Sequence, residues 1–126
     1  MTTYCYGRGS ADEDFDKGSS VATQLSKAKA YAIIKNLTID KEITESISGT
    51  VRFYNRPMGL ELMNDLKKGD HIICSALDRF SRNTLDLLQT IEKFKRLKVN
   101  LHFAEFGNVT SSDAMVGVRK TFKCVC

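Results

Sequence analysis

Short apolar runs along this chain predict strands, because each has the length of one extended segment and is bounded by polar or turn-forming residues. The segment 71–77, HIICSAL, is an apolar run typical of a strand buried on both faces of a parallel sheet. We predict further strands over residues 3–7, 39–44 and 99–106. Cys5 and Cys74 lie inside two of these runs, and we expect both to be buried as small hydrophobic residues.

Two segments between these runs carry apolar residues at helical spacing. The first follows Ser19 and Ser20, either of which suits the N-cap. Its apolar positions are Val21, Leu25, Ala28 and Ala32. The second begins at Pro57 and runs to about Lys68, where Gly69 suits the C-terminal stop.

A third helical segment, residues 83–98, is strongly amphipathic. Its apolar face carries Leu87, Ile91, Phe94 and Leu97. We predict loops over the acidic residues 11–18 and over residues 46–55, which have no clear period, and we expect the second loop to be mobile from Gly49 to Asn55. The resulting order, β-α-β-α-β-α-β, predicts an α/β fold with a mainly parallel central sheet and helices on both faces, in Rossmann-like layers.

The composition is that of a folded protein. Of the 126 residues, 42% are hydrophobic and 27% are charged, which excludes a disordered chain and suits one domain. No apolar run approaches the roughly 18 residues of a membrane span, and the N-terminus has no basic-then-apolar leader, so the expected compartment is the cytoplasm. The four cysteines lack the spacing of a metal finger, and we predict neither a metal nor a cofactor. A net charge of +4 permits an anionic partner without requiring one.

Arginines follow three of the predicted strands, at the ends where parallel sheets gather their ligands. Arg8 follows the first, Arg56 comes in the loop after the second, and Arg79 and Arg82 come after the third. Guanidinium groups that converge on one rim repel each other unless an anion lies among them. Phosphate fits best, because its oxygens match the guanidinium fork. The sequence therefore predicts a phosphate-binding rim, although any one of these arginines taken alone has the ordinary explanation of a solvated surface charge. Nearby polar candidates are Glu45, Ser48, Arg52 and Asp78.

Ser10 ends the stretch YGRGS, in which strand alternation points Tyr6, Arg8 and Ser10 the same way. A serine nucleophile normally needs a base. However, His71 and His102 are predicted at or near the starts of strands, at the opposite end of the sheet. A serine among arginines suits attack on a phosphodiester, because phosphoryl transfer depends on positioning and charge stabilisation. A turn or helix cap remains the alternative role for Ser10.

Four blocks occur in order along the chain: YGRGS, ITESISG, RPMGLELMNDLKKGDHIICSALDRFSRN and NVTSSDAMVG. Gln24 stands early in the first predicted helix. Together these residues resemble the catalytic domain of serine recombinases, the resolvase and invertase family. YGRGS is similar to the family's Y-x-R-x-S opening, and the long block is similar to its R-P…G-D…L-D-R-x-x-R block. The resemblance covers about residues 3–118.

The resemblance implies a resolvase-like fold and a role for each matching residue. Ser10 would attack a DNA phosphodiester to give a 5′-phosphoserine link and a free 3′-hydroxyl, without a cofactor. The residues that would bind the scissile phosphate are Arg8, Arg56, Arg79 and Arg82, and those that would orient them are Gln24, Glu45, Ser48 and Asp78. The implied partners are DNA and further copies of the chain, as a homodimer and then a tetramer during strand exchange, with no membrane. The implied processes are DNA recombination and integration in mobile elements.

Under this resemblance residues 1–118 form the catalytic domain, residues 119–126 begin a truncated helix or tail, and the chain holds no DNA-binding domain. Two features depart from the family: the loop after Ser10 is longer and more acidic, and Gly9 replaces an apolar residue. The alternative function is a non-catalytic α/β module that binds nucleic acid or phosphate, as a degenerate relative of recombinases. A flavodoxin-like or receiver domain would share the sheet, but the sequence lacks an acidic pocket and a P-loop.

Overall fold

The computed structural model describes residues 2–9, 21–48 and 50–110, and within them it alternates strands and helices as the apolar pattern predicts. The strands are β1 (Thr3–Gly9), β2 (Lys41–Ser46), β3 (His71–Cys74), β4 (Asn100–Phe103) and β5 (Gly107–Asn108). The α-helices are α1 (Val21–Ile34), α2 (Pro57–Asp65), α3 (Leu77–Phe80) and α4 (Thr84–Leu97), with a 3₁₀ helix at Phe53–Asn55.

The sheet has the order β2-β1-β3-β4-β5, and its first four strands are parallel. The mainly parallel α/β fold is therefore confirmed. β5 pairs antiparallel with β4 and was not predicted, because it has only two residues and begins at Gly107, whose φ of +88° belongs to a turn. Since β2 and β3 lie on opposite sides of β1, the strand order reverses at β1, where ligands of such sheets bind.

Helices cover both faces of the sheet, as expected. On one face α1 packs Ala28, Tyr31 and Ala32 against Cys5 and Ile73. On the other face α2, α4 and the 3₁₀ helix enclose the larger core, in which the rings of Phe53 and Phe80 stack with centroids 4.5 Å apart. Cys5 and Cys74 are both fully buried, which confirms their predicted role as core residues.

Several predicted element ends were wrong. β1 continues to Gly9 and therefore contains Arg8, and β2 spans Lys41–Ser46. α2 ends at Asp65 and not near Lys68, because Asp70 accepts a hydrogen bond from the backbone N–H of Lys67 (2.9 Å) and closes a turn there. Gly69 belongs to this turn, with a φ of +91°. β3 ends at Cys74 and β4 at Phe103.

The apolar run 71–77 continues beyond β3 because Leu77 is the first residue of α3 and is buried in the core. A strand followed at once by a buried helix gives one unbroken run, which periodicity alone does not divide. In α4 the predicted core residues Leu87, Ile91 and Phe94 are fully buried, whereas Leu97 is 43% exposed at the helix end.

The segment predicted as a loop over residues 46–55 holds the 3₁₀ helix, whose Phe53 is fully buried. The mobility of residues 49–55 stays a prediction. The proposed N-caps Ser19 and Ser20, the acidic loop 11–18 and residues 119–126 lie outside the described residues. No helix in the described part of the chain is long and apolar enough to cross a membrane.

Candidate functional site

The candidate site lies at the end of β1, where the sheet reverses its strand order. The backbone N–H of Ile47 donates to the carbonyl oxygen of Gly9 at 2.7 Å, so β2 and its continuation hold β1 up to its last residue. Ser10 is the next residue in the chain and lies outside the described residues, so its predicted orientation stays a prediction.

Arg8 is fully buried and joins three segments of the chain. Its Nη1 donates to the carbonyl oxygen of Ile47 at 3.0 Å, just after β2. Its Nε and Nη2 donate to the carbonyl oxygens of Arg79 (3.0 Å) and Asp78 (2.9 Å) in α3. Arg8 thus lies at the end of β1 beside Arg79, but its side chain is buried: its guanidinium binds the backbone of the segments that follow β2 and β3, and this holds those segments beside β1.

Gln24, in the second turn of α1, binds the backbone of the same residue. Its Oε1 accepts from the N–H of Arg8 at 3.0 Å, and its Nε2 donates to the carbonyl oxygen of Arg8 at 2.7 Å. Gln24 is buried, and a Cβ added at Gly7 would lie 3.3–3.7 Å from Val21, Leu25 and Gln24. The glycine thus brings α1 close enough for its glutamine to pair with β1.

Arg56, at the start of α2, is also fully buried, so its expected surface position was wrong. Its Nε donates to the carbonyl oxygen of Val51 at 3.0 Å, and its guanidinium lies 5.6 Å from the ring centroid of Phe53. Its Nη1 donates to the Tyr6 hydroxyl at 3.1 Å. Tyr6 in turn donates to Oε2 of Glu45 at 2.5 Å, so one hydroxyl bridges a guanidinium and a carboxylate.

Burial raises the pKa of the Tyr6 phenol; Arg56 opposes this shift and Glu45 adds to it. Tyr6 therefore stays protonated at neutral pH and remains a donor to Glu45. The other oxygen of Glu45 accepts from the backbone N–H of Met58 at 3.2 Å, which attaches β2 to the first turn of α2. Glu45 thus supports Arg56 through Tyr6.

Arg79 and Asp78 belong to α3, beside the buried Arg8. The side chain of Arg79 is 14% exposed and that of Asp78 is 59% exposed, and the two make an ion pair at 3.5 Å. An ion pair this long and this open to solvent contributes little to stability. The carbonyl oxygen of Asp78, not its carboxylate, binds Arg8. The N–H of Leu77 donates to the carboxylate of Glu105 at 3.0 Å, which fixes the start of α3.

The remaining candidates are exposed or partly exposed. Arg82 is exposed in the turn between α3 and α4. Ser48 follows β2, and its hydroxyl lies 2.9 Å from that of Thr50. Arg52 donates to Tyr54 (3.0 Å) and Gln89 (3.2 Å), away from β1.

The two histidines lie on the α1 face. His71 begins β3, whereas His102 is the third residue of β4 and not near its start as predicted. Nδ1 of His71 lies 2.8 Å from Nε2 of His102, whose Nδ1 is 2.8 Å from the Tyr31 hydroxyl. By strand register His71 stands beside Thr3, at the far end of β1 from Arg8. In the described part of the chain, no group of three His, Cys, Asp or Glu residues could hold a metal ion.

The sequence interpretation missed the role of Tyr6. Strand alternation placed Tyr6 on the face of Arg8, which was the available signal, but no hydrogen-bond partner was assigned to Tyr6. The hydrogen-bond partners of Tyr6 are Glu45 and Arg56, which lie 39 and 50 positions away in the chain, and sequence spacing does not reveal such contacts.

A family model matches this chain over nearly its whole length, and curated relatives match a little over half of it. The family model for the resolvase N-terminal domain matches residues 3–123. The transposon Tn2501 resolvase of Escherichia coli is 33% identical over 72 residues, which are 57% of this chain and 37% of that protein. The transposon Tn917 resolvase of Enterococcus faecalis is 36% identical over 77 residues, which are 61% of this chain and 40% of that protein. The matches thus span about two fifths of these relatives.

Solved structures show the same fold. The N-terminal catalytic domain of TP901-1 integrase has a TM-score of 0.78 at 20% identity, over 99% of this chain and 93% of that one. A resolvase family site-specific recombinase from Streptococcus pneumoniae has a TM-score of 0.71 at 25% identity, over 99% of this chain and 87% of that one. Because the family model covers residues 3–123, this chain belongs to the resolvase N-terminal domain family.

Proposed function

We propose that this chain is the catalytic domain of a serine recombinase and that Ser10 is its nucleophile. The Ser10 oxygen attacks a DNA phosphorus, a serine–phosphate bond forms, and the bond from phosphorus to the 3′ oxygen breaks. The serine loses its proton and the 3′ oxygen gains one. Because the phosphate ester persists in the 5′-phosphoserine link, the 3′-hydroxyl of another strand can reverse the step without a cofactor.

One observation carries this proposal. Arg8, which stands two residues before Ser10 in the chain, donates to the backbone carbonyl oxygens of Asp78 (2.9 Å) and Arg79 (3.0 Å). This contact places the last residues of β1 beside the start of α3. The serine thus follows directly from a strand end that is packed against an arginine-bearing helix.

The arginines divide into two groups under this proposal. Arg8 and Arg56 are buried and hold the site together, while Arg79 and the exposed Arg82 contact the scissile phosphate. Positive charge near the phosphorus stabilises the charge that develops on its oxygens during transfer. Gln24 supports this arrangement by pairing with the Arg8 backbone, and the Asp78 carbonyl oxygen supports it by binding the Arg8 guanidinium. Glu45 supports Arg56 through Tyr6, and Ser48 follows Ile47, whose carbonyl oxygen binds Arg8.

The names of the relatives support the same conclusion. Two are transposon resolvases, and a third, PinR of Escherichia coli, is a serine recombinase. We therefore propose DNA as the substrate and a dimer that assembles into a tetramer for strand exchange. We also propose cytoplasmic action and a catalytic domain that ends near residue 118.

A DNA substrate with sulfur in place of the leaving 3′ oxygen tests this function. The sulfur leaves readily and returns poorly, so a covalent adduct accumulates. The chain is fused to a DNA-binding domain whose site lies beside the modified bond, which supplies local concentration. We expect an adduct from the wild type, and from Ser19→Ala and Ser20→Ala as matched serine controls, but none from Ser10→Ala.

The alternative of a non-catalytic binding module makes the opposite prediction. A wild-type fusion that binds the modified DNA and forms no adduct would support that alternative. Adduct formation by Ser10→Ala at the wild-type rate would show that Ser10 is only a turn residue.

A further inference from the structure

Asp86, the third residue of α4, is a fully buried carboxylate that the catalytic scheme above does not use. One of its oxygens, Oδ2, accepts two hydrogen bonds from different segments of the chain. The backbone N–H of Phe53 donates to it at 3.1 Å, and the hydroxyl of Ser81 donates to it at 3.0 Å. Its other oxygen lies 3.5 Å from the hydroxyl of Thr90.

Both donor segments carry arginines of the candidate site. Phe53 begins the 3₁₀ helix, and its carbonyl oxygen accepts from the N–H of Arg56 at 3.1 Å. Ser81 lies between Arg79 and Arg82, and its N–H donates to the carbonyl oxygen of Leu77 at 2.9 Å. A single carboxylate oxygen therefore lies between the backbone that precedes Arg56 and the backbone that joins Arg79 to Arg82.

The ordinary role of an acidic residue in the first turn of a helix does not account for this placement. Such a residue interacts favourably with the helix dipole while exposed to solvent. The N-cap of α4 is already Asn83, whose side chain accepts from the N–H of Asp86 at 3.0 Å. Burial of a carboxylate is costly unless hydrogen bonds replace its water, and here the two shorter hydrogen bonds come from Phe53 and Ser81, outside the helix.

We propose that Asp86 is a positioning residue that holds the Arg56 segment and the Arg79–Arg82 segment at a fixed separation. The consequence for catalysis rests on the proposed function, whereas the consequence for arginine geometry does not. Loss of the carboxylate lets the two segments move relative to β1, and the phosphate-binding groups lose their alignment.

The hydrogen-exchange rates of two arginine protons report how firmly the two segments are held in the free protein. The Nε–H of Arg56 donates to the carbonyl oxygen of Val51, so its exchange with solvent reports the segment before α2. The Nε–H of Arg8 donates to the carbonyl oxygen of Arg79, so its exchange reports α3. Both are measured by NMR hydrogen exchange without any DNA.

Four variants separate positioning from helix capping. Asn83→Ala removes the N-cap and leaves Asp86 in place. Asp86→Ala removes the acceptor for both Phe53 and Ser81, whereas Ser81→Ala removes only the Ser81 donor. Asp86→Asn keeps one side-chain oxygen that can accept from both donors. At a temperature where every variant is folded, we expect Asp86→Ala to speed exchange of both arginine protons at least tenfold. Ser81→Ala should speed mainly that of Arg8, while Asn83→Ala and Asp86→Asn should stay within about threefold of the wild type.

In the adduct assay, we expect Asp86→Ala to lower the rate of adduct formation at saturating DNA at least tenfold. The DNA concentration that gives half of the maximal rate should change little. Asp86→Asn should retain most of the wild-type rate. Equal exchange in Asp86→Ala and Asn83→Ala would overturn the inference. If Asp86→Ala does not fold, wild-type exchange of the Arg8 proton in Ser81→Ala would overturn it. If the wild type forms no adduct, the proposed function fails and the exchange result still decides the role of Asp86.

Discussion

Gln24 pairs with the backbone of Arg8 as a neighbouring strand would, accepting from its N–H at 3.0 Å and donating to its carbonyl oxygen at 2.7 Å. The Arg8 side chain meanwhile binds the carbonyl oxygens of Ile47, Asp78 and Arg79. One residue of β1 is thus tied to α1 by its backbone and to β2 and α3 by its guanidinium. This double attachment fixes the strand end from which Ser10 follows.

We expect Gln24→Leu and Gln24→Glu each to lower the free energy of unfolding by about 1–3 kcal/mol, the usual cost of an unsatisfied buried group. Leucine leaves both backbone groups of Arg8 without this partner, and an ionised glutamate places a carboxylate oxygen against the Arg8 carbonyl oxygen. Urea denaturation measures the change. The exposed Gln89 is the control, and Gln89→Leu should change stability by no more than about 0.5 kcal/mol. Equal effects at the two glutamines would contradict the pairing.

Arg56 and Arg82 should respond differently to replacement by alanine. Arg56→Ala deprives the Tyr6 hydroxyl and the Val51 carbonyl oxygen of a donor, so we expect a loss of roughly 3 kcal/mol in thermal or urea unfolding. Arg82→Ala, at an exposed position, should cost no more than about 0.5 kcal/mol and should weaken the binding of inorganic phosphate followed by NMR. Similar stability losses in both variants would show that Arg82 is structural.

Gly59 permits the contact between α2 and the 3₁₀ helix. A Cβ at this position would lie 2.0 Å from the carbonyl oxygen of Phe53, which is backbone and has little freedom to move away. We expect Gly59→Ala to cost about 1–3 kcal/mol despite the better helix propensity of alanine. Asn64→Ala, at an exposed position of the same helix, should be neutral or slightly stabilising. A stabilised Gly59→Ala protein would show that this contact is looser than described.

The histidine pair makes stability depend on pH. Burial, together with the nearby His71 and Lys35, lowers the pKa of His102 to about 4. Since an unfolded histidine titrates near 6.5, the unfolded chain binds more protons between these values, and stability should fall as the pH decreases from about 6.5 to 4. We expect His102→Gln to flatten this dependence in urea titrations at a series of pH values. An unchanged slope would mean that other groups cause the loss.

The order of elements was predictable because it depends on local apolar periodicity, as in α4, where Leu87, Ile91 and Phe94 form the buried face. The grouping of arginines at strand ends was also predictable, because parallel strands bring their carboxyl ends together at one edge of the sheet. Whether an arginine faces solvent or backbone was not predictable. The partners of Arg8 lie 39 to 71 residues away, and the sequence pattern carries no signal for a carbonyl acceptor.

Asp86 shows the same limit. An aspartate three residues after an N-cap asparagine is common at the start of a helix, and nothing in its spacing reveals that Phe53, 33 residues earlier, donates to it. Functional groups that act through long-range backbone contacts become visible only once the chain is folded.

The most direct measurement identifies the residue that carries the DNA after cleavage. The adduct formed on the 3′-sulfur substrate is digested with protease and nuclease, and the modified peptide is sequenced by mass spectrometry. We predict a nucleotide joined through its 5′-phosphate to Ser10, in the peptide that contains Arg8 or begins immediately after it. A nucleotide on any other residue, or cleaved DNA with a free 5′-phosphate and no linked peptide at any stage of the reaction, would contradict the assignment of Ser10 as the nucleophile.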